Sequence, residues 1–341
     1  MKINKSELQN ALEKVKPGLA QKELIEQATS FTFLGDRVVT YNDEISISHP
    51  VEGLNVTGAI KAQALYDFLN KVKKDEIDIE WQENQVIIKA GRTKAGLVFE
   101  QEVKLPLEEE IGEIGEWQEL PENTLDALKL CHPCTSKDMS RPVLTCVHVG
   151  GNVIEASDSY QIIRYEMKEE IPASFLIPAN SVKELVKYDV KEMAKGDSWI
   201  HFKTEDGTIF SARIIGGEFP DTSSYLDIEG AEFRFPETTK DALDRANVFA
   251  KDDNSAGDIP VITVAVDGKK MDLSTKNSYG WFEEKLKTDY EGEPFQFVVG
   301  IEFMIALFEK LKNCIIGEDR IGFSGENWKH VIAMQAGKEE E

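Results

Sequence analysis

Hydrophobic and polar positions along this 341-residue chain run through one pattern three times. Each round opens with a helical stretch bearing an Ala-Leu pair on its apolar side: Ala11-Leu12 in SELQNALEKV, Ala127-Leu128 in ENTLDALKLC and Ala242-Leu243 in TTKDALDRAN. The pairs lie 116 and 115 residues apart, and recurrence at a near-even period marks a repeat. A hairpin comes next in each round, turning at Gly35-Asp36, Gly150-Gly151 and Asp267-Gly268, where small residues suit a positive φ. The polar knots YNDE, ASDS and STKN then lead from each hairpin into a further strand.

A second helix follows in AIKAQALYDFLNKV, LIPANSVKELVKYD and VVGIEFMIALFEKL. Leu65, Phe68, Leu69 and Val72 fall at i, i+3, i+4 and i+7, the spacing of one buried helical stripe. Val182, Leu185 and Val186 follow the same spacing, as do Met304, Leu307, Phe308 and Leu311. Ser181 and Glu184 have the spacing of a capping box. Alternation at Ile200 and Phe202, then at Ile209, Ala212 and Ile214, predicts antiparallel strands with one solvated face. The whole pattern predicts an α+β protein of three repeated domains, residues 1–117, 118–228 and 229–341, each with two helices packed on antiparallel sheets. The acidic stretch 108–117 and the stretch 225–233 read as linkers.

Charge complicates the picture. Asp and Glu number 62 against 39 Lys and Arg, for a net charge of −23, which taken alone disfavours a general nucleic-acid binder because phosphate contacts need local positive charge. The six helical segments, taken as 5–16, 61–74, 124–141, 179–195, 237–251 and 301–312, nevertheless carry +6 together. If helices form one layer and sheets another, a basic wall faces one way and an acidic exterior the other, an arrangement that holds DNA on one side only. Lysines on an exposed helix face are also ordinary solvated charge. No apolar run approaches the roughly 20 residues of a membrane span, and MKINKSELQN lacks the apolar stretch of a secretory signal. With four cysteines, Cys131, Cys134, Cys146 and Cys314, the reading is a cytoplasmic protein whose cysteines are thiols.

Several stretches resemble the bacterial DNA polymerase III β subunit, the β sliding clamp family. These are SRPVLTCV (140–147), IEASDSYQIIRYEM (154–167), FLIPANSVKELVK (175–187), FSARIIGGEFPD (210–221) and YEGEPFQFVVGIEFMIALFEKLK (290–312). The resemblance is best over 120–335 and weaker in the first domain. It implies a DNA clamp fold, and a head-to-tail homodimer whose six domains make a ring around double-stranded DNA with helices lining the hole. It implies no catalysis and no cofactor, and it implies a DNA polymerase and a clamp loader as partners. Three repeats per chain agree with a two-chain ring of six domains.

On this reading the DNA-facing residues are Lys14, Lys16, Lys61, Lys71, Lys73, Lys74, Lys137, Arg141, Lys187, Lys191 and Arg245, contacting phosphates without reading sequence. The resemblance implies a cleft for a short hydrophobic partner peptide, lined by Tyr160, Gln161, Ile162, Pro220, Tyr225, Phe303, Ile332 and Met334. Aromatic and Met side chains suit peptide anchors. The dimer contact falls at Val103 and Leu105 in one chain and Val248 and Phe249 in the other. Three departures from the family stand out: Tyr160 and Gln161 after the middle-domain Asp, Thr222-Ser223-Ser224 after Phe-Pro-Asp, and an ending MQAGKEEE in place of a Met-Pro-Met type. They point to a divergent, phage-like member with an altered partner motif.

Other chemistry is thinly supported. Cys131-His132-Pro133-Cys134 with Cys146 and His148 has the residue types of a zinc site, but nothing in the spacing brings the two parts together. There is no phosphate-loop lysine, no Gly-x-Gly-x-x-Gly and no Gly-x-Ser-x-Gly. The alternatives to an encircling clamp are a clamp-like regulatory protein that no longer surrounds DNA, favoured by the neutral helices of the third domain, and a metal-binding or enzymatic protein resting on the cysteines.

Overall fold

The computed structural model describes residues 1–251, 259–308 and 312–335. Leu311 and the tail from residue 336 lie outside the described residues. The first third contains β1 (Lys2–Asn4), α1 (Lys5–Val15), β2 (Ser30–Gly35), β3 (Arg37–Tyr41), β4 (Ile45–Pro50), β5 (Val56–Lys61), α2 (Ala62–Lys71), β6 (Glu76–Trp81), β7 (Gln85–Ala90) and β8 (Thr93–Val98), then a one-turn helix α3 (Leu107–Glu110). The second contains β9 (Gln118–Glu119), α4 (Thr124–Cys131), β10 (Cys146–Gly150), β11 (Val153–Ser157), β12 (Gln161–Glu166), β13 (Phe175–Pro178), α5 (Ala179–Leu185), β14 (Val190–Lys195), β15 (Trp199–Thr204) and β16 (Ile209–Arg213), then α6 (Ser223–Leu226). The third contains β17 (Ala231–Arg234), α7 (Thr239–Ala250), β18 (Val261–Asp267), β19 (Lys270–Asn277), β20 (Gly280–Lys287), β21 (Phe295–Gly300), α8 (Ile301–Phe308), β22 (Asn313–Ile316), β23 (Arg320–Ser324) and β24 (Trp328–Ala333). Each third repeats the order strand, helix, four strands, helix, three strands.

The chain divides into two compact units. The first holds Met1–His132, Cys146–Asn152 and Glu169–Gly217; the second holds Pro133–Thr145, Val153–Lys168 and Glu218–Glu341. In the first unit β1-β6-β7-β8 form a four-stranded sheet, and β5-β2-β3-β4 run on into β16-β15-β14-β9 as one eight-stranded sheet. The junction is the antiparallel pair β4–β16, from Ser48↔Ile209 to Ile45↔Ala212. In the second unit β11 and β12 continue into β24-β23-β22-β17 through the pair β12–β24, from Gln161↔Ile332 to Tyr165↔Trp328. The remaining sheet is β20-β19-β18-β21.

Helices cover the sheets where the apolar stripes predict. Leu8, Ala11, Leu12 and Val15 of α1 and Leu65 and Leu69 of α2 are buried; α1 packs on β3, β4 and α2. Ala242, Leu243 and Ala246 of α7 and Met304, Leu307 and Phe308 of α8 share the core of the third repeat with Val264, Leu273 and Phe297. Gly35 and Gly268 take positive φ, at 65° and 56°, in the β2–β3 and β18–β19 turns, where a Cβ would be strained.

Four expectations are corrected. Ser181 is buried inside α5, whose N-cap is Pro178 without a side-chain hydrogen bond, because β13 runs straight into the helix and leaves no capping turn. No solvated face exists along the start of β15: Trp199, Ile200, His201 and Phe202 are all buried, since segment 103–111 covers the second face. Val103, Leu107 and Ile111 pack there on a cluster of Ala28, Tyr41, Leu105 and Trp199. The first acidic linker is therefore fastened down: Glu110 is 2.9 Å from Arg213, and Gly115 lies where a Cβ would come within 2.4 Å of the Lys195 carbonyl oxygen. The second linker contains α6 and β17.

Burial also sets a pH dependence. His49 and His201 are hydrogen-bonded to Thr208 and Ser211, each at 2.8 Å. Burial pushes both rings down from an ordinary value near 6.5 to about 4, with Lys14 adding to the effect at His49. The folded state keeps them neutral while the unfolded chain takes up protons below its higher pKa. Stability is thus expected to be fully present above about pH 6.5 and to fall toward about pH 4, by at most about 1.4 kcal/mol per pH unit for each histidine. Urea unfolding at neutral and mildly acidic pH checks this. His201→Gln should flatten part of the slope, and a profile with no decline would contradict the assignment.

Candidate functional site

A cleft of about 420 Å³ opens in the second unit. Its walls come from four places: the 3-10 turn Pro142–Thr145, the turn between β11 and β12, the lip 220–225 leading into α6, and β24 with the turn before β23. Tyr160, Gln161, Ile162, Pro220 and Tyr225 all line it. Phe303 and Met334 pack on the third-repeat core instead, and Ile332 is fully buried in that core. Val331 and Ala333 line the cleft in place of Ile332. The reason is the two-residue period of a strand, since neighbours of Ile332 must point the other way.

The β11–β12 turn is held by a carboxylate. Asp158 accepts hydrogen bonds from the Tyr160 and Gln161 amides, both at 2.9 Å, and from Gln161 Nε2 at 2.8 Å. Burial pushes the Asp158 carboxyl up, against these three donors. Gln161 Oε1 in turn lies 2.9 Å from His330 Nε2. Ser159 adopts φ 79°, and the Ala333 amide donates to the Tyr160 carbonyl at 2.8 Å. This fixed turn leaves the Tyr160 ring outward, 46 % exposed, with Tyr225 49 % exposed on the opposite lip.

The lip is anchored by a polar cluster that sequence reading missed. Glu155, 4 % exposed, pairs with Arg164 at 2.9 Å. Thr222 Oγ1 donates to Glu155 at 2.6 Å and accepts from Arg164 Nη2 at 2.7 Å. Arg164 also reaches Ser223 Oγ at 3.2 Å. The Thr222-Ser223 pair that departs from the family pattern thus ties α6 to β11 and β12. Arg320 lies over the Tyr225 ring at 5.4 Å and pairs with Asp319. Arg141, expected to face DNA, stands on the cleft rim, where it donates to Ser159 Oγ at 3.1 Å.

The basic residues divide into two groups. Lys14 pairs with Asp206; burial opposes the Asp206 charge, but Lys14, Thr204 and Thr208 hold its carboxyl well below the usual range. Lys61 pairs with Glu23 at 2.5 Å, Lys187 with Glu184 at 2.6 Å and Lys191 with Asp189 at 2.7 Å. Arg245 binds Glu284 through two nitrogens, at 2.9 and 2.6 Å. Lys16 lies 4.2 Å over the Tyr66 ring. Lys71, Lys73, Lys74 and Lys137 are exposed, without a carboxylate partner among the described residues. Lys191 stands on β14, since α5 ends at Leu185. With the helix bounds as folded, α1, α2, α4, α5, α7 and α8 carry seven basic and eight acidic side chains, so the excess positive charge belongs to helix ends and following loops. Of the expected dimer residues, Leu105 is buried in the Trp199 cluster with Val103 beside it. Val248 is 72 % exposed, and Phe249 stacks on Phe282 at 6.2 Å.

Among the described residues no group of three or more His, Cys, Asp or Glu is placed to hold a metal ion, and no helix is long and apolar enough to cross a membrane. No protein-family model and no curated protein matches the sequence. Solved structures do match, across nearly the full length. The DNA polymerase sliding clamp from Bacillus subtilis is 19% identical, with 98% of each chain covered and a TM-score of 0.82. The DNA polymerase III β chain from Streptococcus pneumoniae TIGR4 is 18% identical, over 98% of this chain and 99% of that one, at 0.84. The chain has the DNA sliding-clamp fold. A sliding clamp from Pseudomonas aeruginosa, solved with a ligand, agrees at 16% identity and 0.84 over the same shares.

The anchoring of this clamp fold's cleft lip is testable. Arg164→Ala leaves Glu155 charged and buried without its cation, and is expected to cost about 3–5 kcal/mol in urea unfolding. A loss under about 1 kcal/mol would show that the cluster does not hold the lip.

Proposed function

We propose that this protein is a DNA sliding clamp, a non-catalytic ring of two chains that encircles double-stranded DNA and tethers a DNA polymerase through its hydrophobic cleft. The observation that carries the reading is which strand edges are left open. β4 of the first repeat pairs with β16 of the second, and β12 of the second with β24 of the third. The strands in the corresponding places with no partner are β20 and β8, each at the end of a four-stranded sheet. Joining β20 of one chain to β8 of another, head to tail, repeats the same junction and completes an eight-stranded sheet. Two such joints close a ring, with three domains per chain, 1–117, 118–228 and 229–341. Unpaired edges are normally guarded against association, whereas here apolar side chains stand beside them: Val98 on β8 is 71 % exposed, and Tyr279 and Trp281 at β20 are 66 % and 64 % exposed. Phe249 stands beside Gly280 of β20, next to the exposed Val248.

The full-length likeness to sliding clamps supports this reading, as does the cleft with its two half-exposed tyrosines, which suits an apolar peptide anchor. A clamp loader is the partner that opens such a ring. Lys71, Lys73, Lys74 and Lys137 are the residues best free to meet phosphates, and a clamp of this kind carries no sequence preference. A second reading, a clamp-like regulator that does not surround DNA, draws on the helices having no net positive charge.

Two measurements decide between them. Sedimentation should show a dimer that Trp281→Glu or Val98→Glu converts to monomer; a monomeric parent protein would remove the ring. On nicked circular DNA the loaded protein should be retained and then released on linearisation. Equal retention on circular and linear DNA would contradict encirclement. Tyr160→Ala with Tyr225→Ala should weaken polymerase binding at least about tenfold while leaving the dimer intact.

A further inference from the structure

A cavity of about 1,100 Å³ lies apart from the cleft, within the third repeat. One wall is β17, the outermost strand of its sheet. Phe235 N donates to the Lys312 carbonyl, and Phe233 is paired with Cys314 and Ala231 with Ile316. Antiparallel ladders alternate, so the N–H and C=O groups of Glu232 and Arg234 point away from β22, and both residues also line the cavity. The opposite wall is the loop of Asp289, Tyr290 and Glu291. Phe233, Phe235, Tyr290 and Phe295 form an edge-to-face aromatic floor, with centroids 4.8 to 5.5 Å apart.

Other sheet ends, at the strand before the second helix of each repeat, are bridged. The segment after β8 bridges β5 at Ala59↔Glu100, the one after β16 bridges β13 at Leu176↔Ile215, and the one after β24 bridges β21 at Val298↔Gln335. β17, like its counterparts β1 and β9 in the other repeats, has no such bridge among the described residues, and what sets it apart is the cavity and the charge beside it. Its surroundings are also charged one way: Glu232, Glu237, Asp289 and Glu291 line the cavity against Arg234 and Lys287. Glu237 already has Arg234 and Lys312 beside it, which leaves Glu232, Asp289 and Glu291 without a cation among the described residues.

We propose that β17 is a docking edge for an extended basic peptide segment of another protein, which adds as a strand beside Glu232 and Arg234, sets an apolar side chain over the Phe233–Tyr290 floor and pairs its lysines with Glu232, Asp289 and Glu291. The backbone supplies affinity and the alternate side chains supply selectivity, as in other strand-addition sites. This surface is separate from the partner cleft and from the β8 and β20 edges, and it does not depend on ring closure.

The test uses the full chain and a fluorescent peptide of alternating valine and lysine, read by anisotropy. Binding is expected, with affinity falling as salt is raised. A valine–glutamate peptide should bind at least about tenfold more weakly, and so should the basic peptide N-methylated at alternate residues. Arg234→Pro removes an outward N–H together with the guanidinium beside Glu237, so it is compared with Arg234→Ala, against which it should weaken binding about tenfold with an unchanged melting temperature. Should that variant fail to fold, Glu232→Lys with Glu291→Lys asks the same question through charge. Equal binding of the N-methylated or the acidic peptide, or no binding of the basic one, overturns the proposal. So does a change in sedimentation with Arg234→Pro without peptide, because a second copy would then be the occupant.

Discussion

Backbone N–H and C=O groups at the rim of a β-sheet need partners, and most of this architecture follows from where those partners are found. Within the chain, two of the rims are satisfied by the neighbouring repeat, at β4–β16 and β12–β24. Three others are touched by the segment that follows each repeat's last strand. What remains open is β8 and β20, on which the proposed ring closure draws, and the outermost first strands β1, β9 and β17, the last being the proposed dock for a basic strand. A sheet edge is specific in direction and register but tolerant of side chain. A threefold repeat can therefore diverge widely in sequence and still assemble.

The same tolerance explains how a chain 15 to 19% identical to sliding clamps keeps their fold over 98% of its length. What the junctions demand is apolar side chains on the packed face and open backbone at the rim. The cleft is held differently, by side chains rather than by sheet edges. Glu155, Arg164 and Thr222 hold the lip by mutual hydrogen bonds, and Asp158 with Gln161 and His330 holds the facing turn. Both arrangements depend on polar groups that bond to one another across the turn and the lip, which holds the segments that present the two exposed tyrosines.

Electrostatics is decided at the level of individual side chains. Several of the basic residues expected to face DNA are held in intrachain pairs, such as Lys14 with Asp206 and Arg245 with Glu284. Of those expected residues, Lys71, Lys73 and Lys74 lie together at the end of α2 without such a pair.

Periodicity in the sequence determined the three repeats, their helices and most of their strands, because an apolar stripe at 3.6 or 2 residues has few ways to be buried. The five residues that line one cleft, Tyr160, Gln161, Ile162, Pro220 and Tyr225, were indicated not by periodicity but by the resemblance of their short motifs to a known family. Tertiary structure alone decided the rest. Which face of β24 lines the cleft depends on strand register, so Val331 and Ala333 stand where Ile332 was expected. Whether β15 has a wet side depends on segment 103–111 folding back over Trp199, a contact between residues nearly a hundred positions apart. Whether a lysine is available to DNA depends on which carboxylate the fold brings beside it, and no local pattern of charge records that.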